Sequence, residues 1–88
     1  MKLGLDQKLH TIDGMAYLVT RRRRRARGYA VMAIYDVATT EGFPVAELVV
    51  VRGRCVAYPD AALDPKERRS EHRTLANALA YVATLAHG

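Results

Sequence analysis

The chain has 88 residues, half of them apolar, with one cysteine and a formal net charge of +5. That length holds one domain, residues 1–88, with a small core, and the apolar share is too high for a disordered chain. No uncharged stretch approaches the roughly 18–20 apolar residues of a membrane span; Asp6 interrupts the N-terminus before any secretory apolar run develops, and the lone Cys55 excludes an internal disulfide and every multi-cysteine metal site.

In chain order, the first clear signal is Asp13-Gly14 between Leu9-His10-Thr11-Ile12 and Met15-Ala16-Tyr17-Leu18-Val19-Thr20. An Asp-Gly pair between apolar-rich runs reads as a type I′ hairpin turn, because both residues tolerate positive φ. It predicts strands at about 8–12 and 15–20. The segment 29–37, Tyr-Ala-Val-Met-Ala-Ile-Tyr-Asp-Val, is β-branched and aromatic with no helical stripe and predicts a third strand. Thr39 to Pro44 is a turn cluster, and 45–52 predicts a fourth strand. Gly53 marks either a tight turn into a fifth strand at 54–58 or a bulge in one long strand, with the turn preferred.

Beyond Pro59, Asp64-Pro65-Lys66-Glu67 carries three helix-start devices: an N-cap acid, a proline suited to the first helical position and a capping-box glutamate. The prediction is one helix over about 65–86, with Leu75, Leu79, Val82 and Ala86 as its core-facing stripe. The fold class expected is α+β: an antiparallel meander of four or five strands with one C-terminal helix packed on it. A single helix covers one face of a sheet, yet strand 29–37 is apolar on both faces. Its second face therefore calls for barrel-like curling or a homodimer, with Tyr81 and Leu85 on the nearly all-apolar helix end as expected interface residues.

The charge is concentrated. Arg21, Arg22, Arg23, Arg24, Arg25 and Arg27 hold six of the 14 basic residues, and without them eight bases face nine acids. A near-neutral domain therefore carries one arginine block, predicted to be a projecting hairpin loop over 21–28. Such a block costs self-repulsion and asks for an anionic partner. Arginine presents a planar fork that matches phosphate or carboxylate bidentately. Turns in a meander alternate ends, which is expected to place Arg52 and Arg54 beside the loop. The expected function is non-enzymatic binding of DNA or RNA through the phosphate backbone. The alternative is an accessory protein of a phage or other mobile element that inhibits a host protein through an acidic surface, using the same loop or its apolar faces. Tyr29 and Tyr35 are candidates for base stacking, against the plainer reading of tyrosines in a half-buried strand.

The order of three strands and a helix over about Tyr17 to Ala86, with a basic stretch in the sheet, resembles in architecture the sheet-reading DNA-binding domains of plant ethylene-response factors and tyrosine-recombinase N-termini. That resemblance implies DNA binding. The chain has no Trp and lacks the aromatic signature of the plant domains.

Chemistry for catalysis is not expected. His10, His72 and His87 show no ligand spacing and read as surface histidines, so no metal or cofactor is expected. Cys55 reads as a buried inert thiol. Asp36 and Glu47 could oppose each other across a strand pair, but two carboxylates make a metal-dependent nuclease site only with further ligands. The expected setting is a reducing cytoplasm.

Overall fold

A computed structural model describes residues 3–22, 31–66 and 68–87. Six strands form one antiparallel meander in chain order: β1 (Gln7–Ile12), β2 (Met15–Arg21), β3 (Val31–Thr39), β4 (Pro44–Val51), β5 (Arg54–Pro59) and β6 (Ser70–His72). One helix, α1 (Leu75–His87), follows and packs on β4, β5 and β6. The fold is α+β, as the strand and helix patterns predict.

Local chemistry explains the turns. Asp13 and Gly14 both adopt positive φ, 51° and 81°, which gives the I′ geometry whose twist matches the flanking strands. The β4–β5 connection is a two-residue turn, since Val51 pairs with Arg54 and Gly53 has φ 79°. The turn reading of Gly53 holds and the bulge reading does not. Bulges occur elsewhere, in the β3–β4 pairing between Val31 and Ala33 and between Val37 and Ala38. The first puts Val31 and Ala33 on opposite faces of the sheet, because Val31 pairs with Val51 while Ala33 pairs with Val50.

The larger core cluster lies between α1 and one sheet face, while Ile34 and Val56 are buried on the other face. Tyr17, Val37, Leu48 and Ala57 from the sheet meet Ala78, Leu79, Val82 and Ala83 from the helix, all of them buried. Leu75 and Ala86 complete the expected helix stripe at its half-buried ends. Cys55 belongs to this core, and burial pushes its thiol pKa up, so the thiolate is scarce at neutral pH.

The expected helix start needs correction. Asp64 does cap a turn: the backbone N–H groups of Lys66 and Arg68 donate to its carboxylate at 3.1 and 3.3 Å, and Arg68 Nε donates at 3.2 Å. Burial alone would raise the Asp64 pKa, but these donors and the Arg68 charge hold it below the usual carboxylate value. The turn does not propagate into a helix, because residues 66–73 contain no apolar side chain to bury. Instead Ser70–His72 pairs with Cys55–Ala57 and satisfies the edge of β5. The true N-cap is Thr74, whose Oγ1 accepts from the Asn77 N–H at 3.1 Å. This is why the meander has six strands where four or five were expected. It also moves His72 from helix to strand, where it is half-buried, bonds Ser70 Oγ at 2.7 Å and lies 5.0 Å from the Tyr81 ring.

Candidate nucleic-acid interface

The register settles where the chain reverses. Val31, which follows the arginine-rich stretch, pairs with Val51, and Val51 pairs with Arg54 across the Arg52-Gly53 turn. Arg21 pairs with Tyr35 at the same end of β2. The strand ends that flank the arginine run therefore share one end of the sheet with Arg52 and Arg54, as the alternation of turns requires. Arg23, Arg24, Arg25, Arg27 and Tyr29 lie outside the described residues.

The described arginines divide by partner. Arg22 is held by two acids. Its Nε donates to Asp36 Oδ2 at 2.9 Å, and its Nη2 donates to Asp36 Oδ1 at 2.8 Å and to Glu47 Oε2 at 2.6 Å. Asp36 and Glu47 are direct cross-strand partners on β3 and β4. Like charges facing each other there are destabilising, and Arg22 relieves this by bridging both. The Asp36 hydrogen bond is the main reason its guanidinium is held even more firmly protonated than usual. The expected pairing of Asp36 with Glu47 is thus present, with an arginine fork between the two carboxylates. Among the described residues no group of three or more His, Cys, Asp or Glu side chains could hold a metal ion.

Arg54 Nε lies 3.2 Å from Glu71 Oε1 on the neighbouring strand. Arg21 and Arg52 are exposed and form no ion pair with a described residue. Arg73, within the span expected to be helical, is a third such cation. Cys55 pairs with His72, so Arg73 emerges beside Arg54 at the same end. The signal available in the sequence was the wholly polar run 66–73. α1 also begins at this end and has no acid in its first turn, so its positive dipole end adds to the field.

The described residues expected to stack or to form a dimer interface lie as follows. Tyr35 is half-buried and packs against the core on the α1 side of the sheet. Tyr81 packs against the core of its own chain and approaches His72, and Leu85 is half-buried. No family model, curated protein or solved structure matches the chain. The likeness to sheet-reading DNA-binding domains therefore rests on element order alone.

The clamp on Arg22 makes a testable distinction. Arg22→Ala leaves two carboxylates opposed and is expected to cost about 1 kcal/mol of stability, the scale of a partly exposed bidentate pair. Adding Asp36→Asn should return part of that loss by removing the repulsion. Chemical denaturation measures both. An Arg22→Ala protein as stable as the parent would show that the clamp is not structural.

Proposed function

We propose that the chain is a small non-enzymatic protein that binds the phosphate backbone of nucleic acid through the arginine-rich end of its sheet. The observation that supports this is the shared end itself. The ends of the arginine run, Arg52 and Arg73 lie together, and Arg21, Arg52 and Arg73 carry no described acid partner. Phosphate contacts of this kind give strong, salt-sensitive affinity and little sequence selectivity. A cytoplasmic setting belongs to the same reading, and no helix among the described residues is long and apolar enough to cross a membrane. Electrophoretic mobility shift of short DNA and RNA duplexes at several salt concentrations tests it. A folded protein that shifts neither, even at low salt, would overturn it in favour of an acidic protein partner.

The proposal includes self-association through the sheet face opposite α1. β1 and β6 are not paired, so the sheet is open and barrel closure does not bury that face. Ile34 and Val56 at the middle of that face are buried, whereas Leu9 and Tyr58 are 44% and 40% exposed there. The two longest extents, 34 and 31 Å, bound a face adequate for the roughly 800 Å² per partner of a standard interface. Sedimentation at tens of micromolar is expected to show a dimer, and Leu9→Glu to shift it to monomer. A parent protein that is monomeric under those conditions would remove this part of the proposal.

A further inference from the structure

The sheet face that carries the core changes character towards β1. α1 packs on β4, β5 and β6. On the same face, the apolar row of Val37 and Ala46 continues through Val19 to Lys8. His10 pairs with Tyr17 in the next row, and Arg21 pairs with Tyr35 in the row on the other side. The β1 side of this face thus carries Lys8, His10 and Arg21, with Asp6 next to Arg21, whose backbone N–H donates to the Asp6 carbonyl at 2.9 Å.

These side chains border a cleft of about 300 Å³. Leu5, Val19, Tyr35 and Leu75 supply its apolar surface, and Lys8, His10 and Arg21 supply donors. Asp6, from the segment before β1, is the one acid among the described lining residues and engages a partner of its own. The volume is at the lower limit of ordinary ligand pockets, which combine an apolar lining with a few polar groups that fix orientation. It suits a ligand of nucleotide size.

We propose that this cleft binds a phosphate monoester that carries a planar aromatic group, as a nucleoside monophosphate or the 5′-phosphorylated end of a nucleic-acid strand does. The phosphate is held by Lys8, Arg21 and His10. The planar group rests on Tyr35, Val19 and Leu75. Lysine and arginine supply charge-assisted donors to phosphate oxygens, and aromatic and apolar surfaces accept any base without sequence selection. The inference rests on the polyanion reading, because Arg21 stands at the edge of both the cleft and the arginine-rich end. It adds to that reading a site for a strand terminus, which backbone contacts alone would not recognise.

The test is a titration of the isotope-labelled protein with adenosine monophosphate, with adenosine and with inorganic phosphate, followed by NMR. Adenosine monophosphate is expected to shift the resonances of Val19, Tyr35 and Leu75, with at least tenfold higher affinity than either fragment. Lys8→Gln, at an exposed position, should weaken that binding at least fivefold with unchanged melting temperature, and Lys8→Gln with His10→Gln should abolish it. A 5′-phosphorylated oligonucleotide that binds at least fivefold more tightly than its 5′-hydroxyl twin identifies the strand end as the source. Equal affinity of the two, alongside adenosine monophosphate binding, identifies the free nucleotide. If adenosine monophosphate leaves those resonances unmoved, or binds the double variant as well as the parent, the cleft proposal falls while duplex binding still tests the arginine-rich end. If it binds here and no duplex is shifted, the cleft stands and the backbone reading falls.

Discussion

Replacing Leu48 with alanine is expected to destabilise the chain by about 2.5–5 kcal/mol. Leu48 is fully buried in the middle of β4, between Tyr35 on β3 and Ala57 on β5, beneath the helix. Its loss removes the transfer free energy of the deleted carbons and leaves a cavity that a hydrogen-bonded central strand cannot collapse to fill. For a chain of this length each kcal/mol lowers the melting temperature by about 4–8 °C, so the variant should melt at least ten degrees below the parent. Against a total stability of roughly 5–15 kcal/mol, that loss approaches the limit of folding. Leu79→Ala, on the facing helix and 4% exposed, should cost about 2–4 kcal/mol. The helix can shift slightly against the sheet, which a central strand cannot do. A Leu48→Ala loss below about 1 kcal/mol in chemical denaturation would contradict the placement of this residue at the centre of the core.

The second large effect is on binding. If the arginine-rich end engages four or five phosphates, log affinity for duplex DNA should fall with log salt with a slope of roughly −3.5 to −4.5. Between about 50 and 200 mM salt this is a loss on the order of a hundredfold or more. Arg52→Ala should weaken binding to all sequences alike and flatten the slope by about one unit. Arg23→Ala and Arg24→Ala should each do the same. Arg22 is expected to behave differently, because its fork is occupied by Asp36 and Glu47. Its replacement should lower stability and leave the salt slope nearly unchanged. A slope that stays the same after Arg52→Ala would remove this residue from the interface. A salt-independent affinity would remove phosphate contact altogether.

These contrasts mark the boundary between what the amino-acid order determines and what the folded chain decides. Elements whose signal is local were legible. Asp13-Gly14 dictates its own hairpin because positive φ at both positions is a property of those two residues. The five strands from β1 to β5 follow from short β-branched runs between turn residues, and the collection of arginines at one end follows from strand alternation in a meander. The helix start was not legible. Asp64-Pro65 is a genuine cap, but whether a capped turn grows into a helix depends on a surface against which to bury it. Residues 66–73 have none, while the unpaired edge of β5 offers hydrogen bonds to Ser70–His72. The fate of Arg22 was equally hidden. Five consecutive arginines look alike in sequence, and only the pairing of β3 with β4 brings Asp36 and Glu47 together within reach of Arg22. The cleft beside Lys8 is likewise a product of assembly. It exists because α1 packs on β4 to β6 and leaves the β1 edge of that face to polar side chains. Turns, strands and charge blocks are set by neighbours in the chain, whereas helix extent, ion-pair partners and cavities are set by surfaces that meet only after the chain has folded.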